Sequence, residues 1–369
     1  MSHPMKQLLE FGQSFWWDQL SRGELDDGTV ARMRDHNGMR GMTSNPAIFK
    51  KSIAASEDYD AAILELAAKG LGSEEIFWRL AVEDIQRACD VLRSVFDESD
   101  GVDGYVSLEV DPRLSADSEA TLAEARRLWG QVDRPNLMIK IPGTDEGLPA
   151  IRAALVEGLN VNVTLLFSAQ AHLQVMEAYL SALEERARRG LPLSTVASVA
   201  SFFVSRVDGL IDEELAAASS PIEAGKAGVA NARLAYANFE KVFSGERWAK
   251  LAAEGARVQR PLWASTSVKN PDYPDTMYVS ELIGEHTVNT MPTVTLEAWI
   301  DHGVGRAGSV REDLDAARDH LSALREAGID IDRVTDELLR AGVAQFEQAF
   351  SALLAAVDEK AQRLGSTPR

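Results

Sequence analysis

The chain has 369 residues, 45% of them hydrophobic and 26% charged, which is enough apolar content for a sizeable core. Its formal net charge is −19. A field of that sign repels a phosphate backbone and no run of Lys or Arg offsets it, so nucleic acid is not an expected partner, and a small anionic ligand would need a few locally placed cations.

Cys89 is the only cysteine, so no intrachain disulfide can form and a reducing, cytoplasmic setting is the natural reading. From Met1 to Gln19 the chain mixes His3, Lys6, Glu10 and Asp18 among apolar residues, without the continuous apolar stretch of a signal peptide. Nowhere do about eighteen apolar residues run together, so no membrane span is expected.

In chain order, short apolar runs at Ser14–Asp18, Met39–Thr43, Gly104–Val110, Asn136–Ile141, Val161–Leu166, Val196–Val204, Pro261–Ser265 and His286–Thr290 read as strands. Between them lie segments of helical period, among them Ser73–Val95, Ala116–Trp129, Ala169–Arg189 and Ala224–Phe243. Such alternation predicts a parallel sheet covered by helices, and its unbroken repetition favours a closed (β/α)8 barrel over an open doubly wound sheet. No Pro- or Ser-rich linker interrupts the chain, so residues 1–369 are read as one domain. From Val310 onward the pattern is helical with a break at Gly328. Val343, Phe346, Phe350, Leu353 and Leu354 suit a helix packed back on the barrel, and a polar stub from Gly365 to Arg369 should fray.

Gly303-Val-Gly305-Arg-Ala-Gly308 matches a dinucleotide-binding fingerprint, but that motif must leave a strand, and here it follows a helical segment, Thr295–Asp301. It is read as a loop. The six histidines lack metal-type spacing, and no Gly-x-Ser-x-Gly or Cys–His pattern occurs, so neither metal nor cofactor is expected.

Ionisable and amide side chains embedded in the strands carry more information. Period two in Leu137–Pro142 sets Lys140 with Met138, opposite Leu137, Ile139 and Ile141. A barrel encloses both faces of its strands. Enclosure disfavours the charged form of an amine, and a neutral amine attacks carbonyl carbon; the alternative is a strand-end lysine snorkelling to solvent. Glu109 shares a face with Ser107 and Asp111, either functional or paired to a neighbouring strand. Asn162 and Thr164 share a face too, and Asn is unusual in a strand. Asn45, before Pro46, has the form of a helix N-cap, and Asp18 reads as a cap or an exposed acid. Ser201-Phe-Phe203-Val-Ser-Arg206 ends one strand with a cation where a helix should begin, and Ser265-Thr-Ser-Val-Lys269-Asn-Pro does the same one strand later. Either could cradle an anion or form a surface ion pair.

Taken together, these segments resemble the transaldolase family. Gly41-Met-Thr-Ser-Asn-Pro-Ala-Ile-Phe49 is similar to its Thr-x-Asn-Pro segment, and Val106–Asp111 to the strand carrying its glutamate. Asn136-Leu-Met-Ile-Lys-Ile-Pro-Gly-Thr-Asp-Glu-Gly147 is similar to its Schiff-base strand, and Asn162–Ser168 to its Asn-x-Thr-Leu-Leu-Phe-Ser strand. The likeness runs from about Phe15 to Thr295, and the Trp-Ala-Ser-Thr-Ser-Val-Lys-Asn-Pro segment resembles the longer bacterial subgroup.

The resemblance implies a cofactor-free transfer of a dihydroxyacetone unit from sedoheptulose 7-phosphate to glyceraldehyde 3-phosphate, in the pentose phosphate pathway. Lys140 would be the Schiff-base nucleophile, Glu109 and Thr164 would relay protons through a water, and Asp18 would handle the substrate C4 hydroxyl proton. Asn45 and Asn162 would bind the dihydroxyacetone unit, Ser201 and Phe203 would shape the pocket, and Arg206 would clamp a phosphate. Lys269 stands where many members have a second Arg, and Lys binds phosphate as a point charge rather than a fork. Sugar phosphates are the implied partners, and a homodimer is the candidate assembly. The rival readings are a fructose-6-phosphate aldolase-like enzyme, whose shorter members lack the glutamate, and a non-catalytic barrel that binds sugar phosphates.

Overall fold

The structure is a computed structural model that describes residues 4–366; His3 and the last three residues of the polar stub lie outside the described residues. Eight parallel strands close on themselves in sequence order. They are β1 (Gln13–Trp17), β2 (Gly41–Thr43), β3 (Tyr105–Glu109), β4 (Leu137–Pro142), β5 (Val161–Leu166), β6 (Ser198–Phe203), β7 (Arg260–Ala264) and β8 (Thr287–Met291). All eight expected strands are present, with ends displaced by a residue or two. The long amphipathic segments form helices Ser73–Glu98, Ser118–Val132, Ala169–Arg188 and Ala227–Val242 around them.

Every strand residue is buried, because one face meets the helices and the other fills the barrel. Contacts between non-neighbouring strands identify the inner face. Thr43 on β2 meets Thr290 on β8, and Asn162 on β5 meets Ser107 on β3. At the lower end Trp16 plugs the interior. It fits because Gly41 faces it, where a Cβ would stand 2.5 Å from the indole ring. Below it Arg260 and Asp103 form a buried ion pair at 2.9 Å, and Asp103 also accepts from Ser14 and Trp16. With this end sealed, the polar side chains at the carboxyl ends of the strands gather at the other mouth.

The glycine triad at 303–308 is a loop following helix Thr293–His302, as expected. After it come a short 3-10 turn, a helix Leu314–Glu326 and a helix Ile331–Ser366 that runs past Gly365, where fraying was expected. This last helix packs against helices Pro46–Ala55, Asp60–Ala68 and Ser73–Glu98 and reaches the end of β5. No helix among the described residues is long and apolar enough to cross a membrane.

Candidate active site

Neighbouring strands set Lys140 beside Glu109, which are partners in the β3–β4 register, and Lys140 beside Asn162 in the β4–β5 register. Lys140 and Glu109 are each 5% exposed. The Lys140 Nζ lies 3.4 Å from Glu109 Oε2 and donates to the Ser44 carbonyl at 3.2 Å. The ammonium is therefore paired across strands, neither isolated nor snorkelling to solvent. Burial pushes the Glu109 carboxyl up to about 7; Lys140 opposes that rise and the Asp18 charge adds to it. Among the described residues, neither Glu109 oxygen has a hydrogen bond of good geometry, and the buried Thr164 hydroxyl has no hydrogen-bond partner. Polar atoms left this way in a buried site are places where a ligand or water belongs.

Asp18 is neither a cap nor an exposed acid, since Ser21 caps the next helix. It follows β1 at the mouth, where Thr43 Oγ1 donates to it at 2.6 Å and itself meets Thr290 Oγ1 at 2.6 Å. Burial raises the Asp18 pKa, while the Thr43 hydrogen bond and the Lys140 charge lower it. It keeps some accessible surface even though its carboxylate lies deep among protein atoms.

Asn45 caps helix Pro46–Ala55, its side-chain oxygen accepting from the Ile48 amide at 3.0 Å. The cap reading holds, and it leaves the Asn45 amide group free to donate. Asn162 donates to Ser107 Oγ at 2.9 Å and accepts from Ser201 Oγ at 2.7 Å. That chain of bonds fixes the rotamers of three inward polar side chains. Phe203 packs on Phe167, with ring centroids 5.1 Å apart.

The two cations differ. Arg206 starts helix Ser205–Ala217, its guanidinium 5.4 Å from the Phe203 ring, and donates to Gln345 Oε1 at 2.8 Å. Burial lowers its pKa. Lys269 does not open a helix. Asn270 turns the chain by accepting from the Asp272 amide at 3.0 Å, and the next helix waits until Met277. Lys269 is exposed and donates to Ser267 Oγ at 2.6 Å. A 2.9 Å contact between Ser205 and Ser265 hydroxyls joins the two loops at their roots. Thr290 and Gln345 escaped the sequence reading. An inward Thr is ordinary in a strand, and nothing in a polar helical residue tells which loop it will meet.

The comparisons with known proteins agree along the chain. A family model described as Transaldolase/Fructose-6-phosphate aldolase matches residues 15–357. A transaldolase of Thermobifida fusca is 50% identical over 369 residues, covering 99% of this chain and 100% of that protein. One from Acidothermus cellulolyticus is 50% identical over 365 residues, covering 98% of each. One from Mycobacterium marinum is 48% identical over 361 residues, covering 97% of each.

Proposed function

We propose that this chain, which belongs to the transaldolase/fructose-6-phosphate aldolase family, is a transaldolase working through a Schiff base on Lys140. It would take a dihydroxyacetone unit from sedoheptulose 7-phosphate and give it to glyceraldehyde 3-phosphate, leaving erythrose 4-phosphate and fructose 6-phosphate. The observation that carries this reading is the Lys140 amine 3.4 Å from a carboxyl whose pKa sits at about 7, inside a barrel mouth. An acid–base group works best with a pKa near the operating pH.

Lys140 Nζ adds to the ketose C2 carbonyl, and the carbinolamine loses water as Glu109 supplies a proton. Thr164, whose hydroxyl has no hydrogen-bond partner among the described residues, holds the relaying water. Asp18 then takes the C4 hydroxyl proton. The C3–C4 electron pair moves into the iminium, so the aldose leaves and an enamine stays on Lys140. The enamine carbon attacks the acceptor aldehyde, Asp18 returns its proton to the new alkoxide, and hydrolysis frees the product. The Asn45 amide and the remaining Asn162 N–H orient the dihydroxyacetone hydroxyls. Ser201 and Phe203 bound the pocket, and Arg206 with Lys269 receives the phosphate. The buried lone Cys89 suits a reducing, cytoplasmic compartment.

Borohydride reduction in the presence of fructose 6-phosphate, followed by peptide mass spectrometry, tests the assignment. The adduct is expected on Lys140, and Lys140→Ala should lose both label and transfer while keeping its fold. Labelling elsewhere, Lys269 included, or unchanged labelling in the variant would refute it.

A further inference from the structure

Helix Ile331–Ser366 contributes more than packing. At Gly342 its backbone rests on the end of β5, where a Cβ would stand 3.0 Å from Leu165 and 3.6 Å from the Phe167 ring. Leu165 itself takes a left-handed φ of 61° at an irregularity in the β5–β6 register. Two turns farther on, Phe350 is fully buried, its ring centroid 5.6 Å from Phe77 and 5.9 Å from Trp78. Between these anchors, one turn from each, Phe346 presents its ring to the Lys140 amine, with 5.4 Å from Nζ to centroid. Phe346 is only half-buried although both anchors are closed. The residue before it, Gln345, accepts the 2.8 Å hydrogen bond from Arg206 and ties the same turn to the helix that follows β6. A groove of about 730 Å³ runs beside this helix, walled by Thr144, Ser168, Gln170, Leu339 and Val343, and Lys140 is not among its walls.

The enamine on Lys140 has two fates. It can attack the acceptor aldehyde, which is transfer. Alternatively a proton from water adds to its carbon, giving the dihydroxyacetone iminium; a second water then adds to C2, the carbinolamine returns its amine to Lys140, and free dihydroxyacetone leaves. Both routes end in hydrolysis at C2; only the second needs water to protonate the enamine carbon before an aldehyde arrives. A phenyl ring beside the nitrogen offers water no hydrogen bond, which disfavours a water placed to protonate the enamine.

We infer that Phe346 is a specificity-determining residue, the wall that keeps water from the Lys140-bound enamine and so sets transfer above release of free dihydroxyacetone. This rests on the Schiff-base reading, and the test separates the two. Fructose 6-phosphate is given to wild type, Phe346→Ala and Phe346→Leu, first without an acceptor and then with erythrose 4-phosphate. Free dihydroxyacetone, sedoheptulose 7-phosphate and the borohydride adduct are measured for each. Phe346→Ala should raise the ratio of release to transfer by about tenfold, a difference of about 1.4 kcal/mol between the two barriers, with Phe346→Leu between it and wild type. Adduct formation should persist throughout. Missing adduct in wild type overturns the Schiff-base reading. A normal adduct with an unchanged ratio in both variants, or release and transfer falling in parallel, overturns the role of Phe346. Should Phe346→Ala fail to fold, Phe346→Leu decides by the same ratio.

Discussion

Glu109 is held near neutrality by opposing forces: burial lifts its pKa to about 7 against the pull of Lys140, and the Asp18 charge adds a smaller push upward. Glu109→Gln keeps the shape and removes the proton. Imine formation should slow by roughly 10²–10⁴-fold, the usual contribution of a general acid–base group. In rapid-quench measurements wild-type imine formation should decline as pH rises through about 7, where the protonated acid is lost, and the variant should show no such inflection. Equal rates would make Glu109 a structural partner of Lys140 and nothing more. The same shift has a cost in stability. A carboxyl whose folded pKa lies above its unfolded value of 4.5 adds stability that is complete below that value and is lost as pH rises through about 7. With the Lys140 attraction already included, the site still prefers the neutral form, which Gln imitates. Urea midpoints for Glu109→Gln should therefore exceed those of wild type at pH 8, and that advantage should shrink toward pH 5. An advantage constant across this range would mean that it comes from something other than Glu109 titration.

Strands were more legible than the elements that complete the site. Alternation alone sets Lys140, Glu109, Asn162 and Thr164 opposite the aliphatic residues of their strands, because a buried strand leaves an ionisable or amide side chain conspicuous among Val, Ile and Leu; that this face is the inner one comes from the cross-barrel contacts. Asp18 ends the expected strand Ser14–Asp18, whose Phe-Trp-Trp run shows no polar–apolar alternation, and the structure places it just beyond β1. Its place at the mouth appears only when β1 closes against β2 and β8. The last helix shows the same limit: its apolar face was readable, whereas the strand end it would cross was not. What holds that helix can be tested. Lys360 is buried and donates to the carbonyls of Ile53 and Ser56, at the end of the helix that Asn45 begins, and it pairs with Asp60 at 2.6 Å. A cation there satisfies carbonyls that the helix end leaves open. Lys360→Met removes the charge but keeps most of the stem, and it should destabilise the protein by about 3 kcal/mol, the low end for breaking a buried pair. Hydrogen exchange should quicken in residues 331–366 and in helix Pro46–Ala55 together. Faster exchange in only one of the two would mean that Lys360 does not couple them.

At the scale of the whole molecule the difficulty is capturing a dianion with a chain of net charge −19. The long-range field opposes approach, while the phosphate contacts proposed for Arg206 and Lys269 act only at close quarters. These two parts respond differently to salt. At about 0.1 M ionic strength the screening length is about 10 Å, so distant repulsion fades while a contact between phosphate and a half-buried guanidinium persists. Between about 10 and 100 mM salt, kcat/KM for fructose 6-phosphate should therefore rise, and that for unphosphorylated fructose should stay level. The local part is tested by substitution. Arg206→Ala should weaken apparent affinity for fructose 6-phosphate by roughly 1.5–3 kcal/mol, the range for hydrogen bonds to a charged group, with little effect on fructose. Lys269→Ala should cost less, since Lys269 is exposed and offers a point charge. The direction of the salt response should survive in both variants, because neither changes the distant field much. Equal losses for both sugars in Arg206→Ala would show that Arg206 serves the fold, through Phe203 and Gln345, and not the phosphate. A silent Lys269→Ala would leave Arg206 as the phosphate's one charged anchor, with hydroxyls such as Ser205 and Ser265 at the roots of the two loops completing the cradle.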